Sequence, residues 1–331
     1  MRTRRLGATD LDLTTLGLGT WAIGGPWAFG WGPQSDSDSI ATIRRALDLG
    51  INWIDTAPAY GLGHAETIVG QAIAGRGERV IVATKCGLVW DDPGTRAVDH
   101  RLTPDSVIAE AEASLRRLGV EVIDLYQIHW PVPDEHIEEA WRAIDSLVRS
   151  GKVRHAGVSN FSTAQLDRVR AIAPVASLQP PLSLLDRAAE TELLPYCVDH
   201  GIGVVAYGAM AYGLLTGKFS QAALAALPAD DWRRQGGRFR EPELSANLAF
   251  VEGLKPLAAR HGRRLSDLAL AWVLQRPGIT SAIVGARTPE QIEQTAAAGD
   301  WELPDDTRAA IDELLARRAK RLGSYRPKVP V

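Results

Sequence analysis

The fold of this chain is constrained most by a pattern that recurs eight times: a short apolar run, an amphipathic segment, then the next apolar run. The runs are Leu16-Gly17-Leu18, Ile51-Asn52-Trp53-Ile54, Val80-Ile81-Val82-Ala83-Thr84, Val122 to Ile128, Val153 to Val158, Val175 to Gln179, Ile202 to Ala206 and Ser281-Ala282-Ile283-Val284. Each has strand length, and helical signals fill the stretches between them. Ile40, Ile43 and Leu47 stripe one helical face before Gly50, and Thr103-Pro104-Asp105 supplies a cap and a first-turn proline. Further helices are expected at about 134–150, from Ser162, around 188–200, near 245–261, at 266–275 and from Pro289. Strand alternating with helix, without a long polar linker, predicts a single α/β domain over 1–331, a (β/α)8 TIM barrel with its active site at the C-terminal strand ends. An N-terminal β-hairpin at 3–15 reads as an appendage to it. The rival, a doubly wound sheet, is weakened because no G-x-G-x-x-G follows the first run.

Composition narrows the function classes. With 331 residues, 45% hydrophobic and 23% charged, the chain can bury a large core. A net charge of -3 with both signs interspersed leaves no basic stripe, so nucleic acid is not an expected partner. Cys86 and Cys197 stand far apart and in no C-x-x-C spacing, which argues against a disulfide framework and against a metal site. The start Met1-Arg2-Thr3-Arg4-Arg5 is basic, but Asp10 and Asp12 interrupt the residues after it and no long apolar run appears. The expectation is a cytoplasmic protein without a membrane span, a monomer or small homo-oligomer acting on a small molecule.

Four ionisable residues fall where such a barrel carries chemistry. Asp55 ends the second run, Tyr60 lies in the loop after it, Lys85 ends the third and His129 the fourth. A tyrosine normally titrates near pH 10 and is a poor acid at neutrality unless a neighbouring cation stabilises its phenolate. Lys85 can supply that charge, Asp55 can hold Lys85, and His129 can donate to a substrate oxygen. Singly, each has a plain alternative: a structural ion pair, a loop aromatic, a satisfied core histidine. Four together on three consecutive strand ends point to one proton-handling site.

At this point the sequence resembles the aldo-keto reductase superfamily over nearly its whole length, most closely the bacterial branch that includes general stress protein reductases. The resemblance is carried by Leu16-Gly17-Leu18-Gly19-Thr20-Trp21, Asp55-Thr56-Ala57-Pro58-Ala59-Tyr60-Gly61, Ala65-Glu66, Thr84-Lys85, Ile123 to Trp130, Gly157-Val158-Ser159-Asn160-Phe161, Gly213 to Lys218 and Gly285-Ala286-Arg287. It implies an NADPH-dependent oxidoreductase that reduces aldehydes or ketones, with Asp55, Tyr60, Lys85 and His129 as the catalytic tetrad. Tyr60 is then the general acid, its pKa lowered by Lys85 with help from Asp55, while His129 orients the carbonyl.

The resemblance also implies cofactor contacts. Ser159, Asn160 and Gln179 match residues that bond the nicotinamide carboxamide, and Tyr207 matches the aromatic under the ring; capping and core packing are the plain alternatives. Thr20, Trp21 and Asp55 are placed beside the cofactor. Gly208, Ala209, Met210, Gly213, Leu215, Gly217 and Lys218 belong to a long loop that folds over the pyrophosphate. Gly285, Arg287 and Gln291 belong to the segment that grips the adenosine ribose phosphate, where the Arg287 guanidinium suits a 2′-phosphate and favours NADP over NAD. Arg233 and Arg234 are further phosphate candidates, with a solvated charge cluster as the alternative for both. Thr295, Tyr212 and Leu182 replace a frequent asparagine, basic residue and tyrosine.

Among ten tryptophans, Trp21, Trp27, Trp31, Trp90 and Trp130 fall in loops at the rim, where an aromatic mouth would favour carbonyls with apolar bodies and where loop packing is the equal alternative. Two other function classes stay open. One is a Schiff-base lyase using Lys85. The other is a redox-sensing nucleotide-binding module resembling potassium-channel β-subunits.

Overall fold

The computed structural model describes residues 1–323 except 78, 93, 95–96 and 230. A hairpin of β1 (Thr3–Arg5) and β2 (Asp12–Thr14) comes first. β3 (Leu16–Gly19), β4 (Trp53–Asp55) and β5 (Ile81–Cys86) come next, then a small antiparallel ribbon of β6 (Leu88–Val89) and β7 (Asp99–His100). β8 (Ile123–Ile128), β9 (Val153–Ser159), β10 (Ser177–Gln179), β11 (Gly203–Ala206) and β12 (Ile279–Gly285) complete the strands. β3, β4, β5 and β8 to β12 form a closed parallel barrel, sealed where Ala282 to Gly285 pair with Leu16 to Gly19. The eight apolar runs are the eight barrel strands.

Around it lie α1 (Asp36–Asp48), α2 (His64–Ile73), α3 (Pro104–Leu118), α4 (Ile137–Arg149), α5 (Thr163–Arg170) and α6 (Leu193–Asp199). α7 (Gln221–Ala225), α8 (Glu243–Arg260), α9 (Leu265–Leu274), α10 (Pro289–Ala296) and α11 (Asp305–Leu322) complete the helices. Local chemistry explains several boundaries. Ser162 opens α5 with a capping box to Gln165, and Thr288 caps α10 ahead of Pro289. The helix expected at 188–200 is split into a 3-10 turn at 188–190 and α6. α2 escapes a sequence reading because Gly63, with φ of 95°, stands at its start and offers no side-chain cap. α11 and the ribbon likewise lie beyond the eight-fold pattern.

The N-terminal hairpin is not an appendage. Leu6, Leu11 and Leu13 are buried against Trp53, Ile81, Leu125 and Val205, so the hairpin plugs the barrel at its N-terminal end. Trp53 fills the interior there and its Nε1 donates to Ser281 Oγ at 3.1 Å. It fits because Gly17 faces it: a Cβ at Gly17 would lie 2.0 Å from the indole.

Alternation along the strands then sets the other end. Side chains two apart share a face, so with Trp53 inside, Asp55 is inside too; Ala83 leads to Lys85, and Leu125 to Gln127 and His129. Register carries the set around the barrel, through Asp55 opposite Ala83, Lys85 opposite Gln127, Gln127 opposite Gly157 and Ser159 opposite Gln179.

Candidate active site

At the C-terminal end of β5, Lys85 is fully buried. Its Nζ donates to Asp55 Oδ1 at 2.7 Å and to the Thr56 carbonyl at 2.9 Å, and stands 3.4 Å from the Tyr60 hydroxyl. The Tyr60 and His129 rings meet edge to face, 5.8 Å between centroids. The tight turn that presents Tyr60 depends on Gly61, whose φ is 67° and where a Cβ would sit 1.8 Å from the Gly24 carbonyl oxygen. All four residues expected to act together are therefore in one cluster.

The electrostatics differ from the expectation for Tyr60. Burial, then the Asp55 charge, raise its pKa well above the ordinary tyrosine value. Lys85, itself paired with Asp55, does not reverse this. Burial lowers the Lys85 pKa, against the pull of Asp55 and Glu66. His129 is held well below its usual value by burial and then by Lys85, so its ring is neutral and can donate without carrying charge.

A hydrogen-bonded chain joins the two halves of the cluster. Gln179 Nε2 donates to Asp55 Oδ2 at 2.9 Å. The Gln179 carbonyl accepts from Ser159 Oγ at 2.9 Å, Asn160 Nδ2 donates both to Ser159 Oγ and to the His129 carbonyl, and Tyr207 donates to Asn160 Oδ1 at 2.9 Å. Asn160 reaches both partners from a left-handed backbone, φ 64°, a region that asparagine tolerates.

A sequence model described as the aldo/keto reductase family matches residues 15–316. Aldo-keto reductase YhdN of Bacillus subtilis is 41% identical over 310 residues, covering 93% of this chain and 91% of the relative. This chain belongs to the aldo/keto reductase family. The NADH-specific methylglyoxal reductase of Escherichia coli is 37% identical, with 93% of this chain and 97% of the relative covered. Among solved structures, the glycerol dehydrogenase AKR11B4 from Gluconobacter oxydans is similar with a TM-score of 0.89 and 41% identity, covering 99% of each chain. The reductase is thus an oxidoreductase of a family that works with a nicotinamide cofactor.

The residues present fit such a group by their donor chemistry. Among the described residues, no donor reaches Gln179 Oε1, and neither Arg287 nor the exposed Lys218 has an acidic partner. Arg287 and Lys218 leave two uncompensated cations on the loops after β12 and β11, which suits a polyphosphate. Burial and then the Arg233 charge lower the Arg287 pKa.

Thr20 directs both its N–H and its hydroxyl to the Asp55 carbonyl, bracing the end of β4. Arg233 spends its guanidinium on Asp231, at 2.6 and 2.9 Å, over the Trp31 ring. Ala209 and Leu215 are buried, and Leu215 N–H bonds the Met210 carbonyl, so their side chains pack the loop down. Gly208, Gly213 and Gly217 all take positive φ in that loop. Gly285 ends β12, and Gln291 Oε1 accepts from the Arg287 N–H.

At the rim, Trp21 stacks on Trp232, 5.4 Å between centroids, tying the loop after β3 to that after β11. Trp27 is buried against Tyr60, Trp90 is half-buried, and Trp130 is exposed. Sequence reasoning missed Gln127, Glu66 as a buried partner of Thr84 and Arg117, and Gln34, whose Oε1 accepts from Arg287 Nε at 2.7 Å. Gln127 carried a signal, since it shares strand parity with His129, and Glu66 stands in the Ala65-Glu66 motif; Gln34 carried none.

Proposed function

We propose that this reductase reduces aldehydes or ketones to alcohols with NADPH, Tyr60 protonating the carbonyl oxygen. The nicotinamide, when bound, supplies hydride to the carbonyl carbon. Tyr60 enters fully protonated because its pKa is raised, and gives up its proton only as negative charge develops on the substrate oxygen. Lys85, held by Asp55, then stabilises the forming phenolate. His129 donates a hydrogen bond to the same oxygen from a neutral ring. Ser159, Asn160 and Gln179 would hold the carboxamide, Tyr207 would pack against the ring, and Lys218 and Arg287 would meet the phosphates, with Arg287 selecting for a 2′-phosphate. Apolar side chains at the mouth, including Trp130 and Phe29, suit substrates with apolar bodies.

The observation that carries this reading is the Tyr60 hydroxyl 3.4 Å from a buried lysine already paired with a carboxylate. The test is NADPH oxidation with a reactive aromatic aldehyde. Tyr60→Phe is expected to lose roughly 10³-fold in turnover while the nucleotide still binds; full activity in that variant refutes Tyr60 as the acid. Cofactor choice is tested by fluorescence titration with NADPH and NADH. Equal affinities would remove the selecting role of Arg287, and the NADH-specific relative makes this comparison informative.

A further inference from the structure

The interior of a barrel of this type is normally filled by aliphatic side chains, yet Gln127 lies there fully buried and outside the tetrad. Its oxygen faces Gln179: the Gln179 NH2 that donates to Asp55 Oδ2 at 2.9 Å also lies 3.5 Å from Gln127 Oε1. Two acceptors, one of them a carboxylate, flank the same amide NH2. Turned end for end, the Gln179 amide would press its oxygen against both. Gln179 Oε1 is left without a donor among the described residues and is not sealed in the interior.

Gln127 holds this orientation at a cost. Its own Nε2 is buried without a partner among the described residues, as is Ser177 Oγ, and both residues pair in register with Gly157. A simple packing role would be met better by an apolar side chain, which leaves no orphan donor. We propose that Gln127 is a positioning residue: it locks the Gln179 amide so that its NH2 holds Asp55 and its oxygen receives the nicotinamide carboxamide. This rests on the reading that a nicotinamide dinucleotide binds at Gln179.

Gln127→Met removes the acceptor at nearly constant volume and is expected to leave thermal stability unchanged or raised. Asp55 then holds the Gln179 NH2 from one side alone, the amide is less narrowly fixed, and affinity for NADPH is expected to fall about ten-fold, while affinity for 2′-phospho-ADP-ribose, the same molecule without nicotinamide, stays within about two-fold. Gln127→Glu keeps an oxygen toward Gln179 and is expected to preserve the ratio of the two affinities. If the unmodified protein prefers NADH, the NADH and ADP-ribose pair serves instead. An unchanged ratio in Gln127→Met overturns the inference, as does an equal loss on both nucleotides in both variants. Failure of the unmodified protein to bind either reduced nucleotide overturns the underlying reading, and the inference falls with it.

Discussion

Replacing Lys85 by methionine tests the proton-transfer reading most directly. Lys85 Nζ lies 3.4 Å from the Tyr60 oxygen. At an effective dielectric of about 20, a full phenolate there gains roughly 5 kcal/mol from the ammonium. With about half that charge developed in the transition state, losing Lys85 removes roughly 2.4 kcal/mol, or about 60-fold in rate. That figure is a lower bound, because Asp55 then faces Tyr60 without its lysine partner and raises the barrier further. Removing one partner of a buried pair also costs stability, about 3–5 kcal/mol, so the assay must run below the lowered melting temperature. Single-turnover hydride transfer, with nucleotide and an aromatic aldehyde both saturating, isolates the chemical step. A fall of less than about five-fold with nucleotide binding intact would refute the reasoning, since among the described residues no other positive charge stands in the cluster around Tyr60. Borohydride treatment of the unmodified protein with substrate is expected to trap nothing on Lys85, whose Nζ is committed to Asp55 and Thr56; a trapped adduct would favour the lyase.

Three further outcomes are expected. Glu110 accepts from the Gly87 N–H and Ser106 Oγ, and burial raises its pKa from 4.5 to about 7. The native state therefore binds this proton more tightly than the unfolded chain, so its stabilising contribution is full below about pH 4.5 and is lost as pH rises to 7. Glu110→Gln is expected to be more stable than the unmodified protein at pH 8, by up to about 3 kcal/mol, with the gap closing toward acid; urea unfolding at several pH values checks this, and a gap independent of pH would contradict it. Gly17→Ala forces a Cβ into the Trp53 indole and should cost about 3 kcal/mol, read from thermal or urea unfolding. Because His129 is neutral well below its ordinary range, kcat/KM for carbonyl reduction should show no acid limb near pH 6.5; such a limb, lost in His129→Gln, would mean that the ring titrates there.

The legibility of each feature depends on how it is written into the chain. Apolar runs such as Val80 to Thr84 mark strands because burial on both faces of a parallel sheet demands them. The tetrad is visible because each member sits at the end of such a run or, for Tyr60, in the loop just after. The helix at 64–73 is not, because it opens at a glycine instead of a capping side chain. The hairpin's role is hidden as well: Leu6, Leu11 and Leu13 read as an alternating strand whether they cover a surface or plug a barrel.

Sequence by itself determined the alternation of strand and helix, the barrel it closes into, and the residues at the strand ends, since these depend on local periodicity and position along the chain. Tertiary structure alone decided the partners. Gln179 meets Asp55 across 124 positions, and Arg287 meets Gln34 across 253. It also decided that burial, and then the Asp55 charge, keep Tyr60 protonated. Hydrogen bonds and desolvation act over a few ångströms of space, and distance along the sequence does not report that separation.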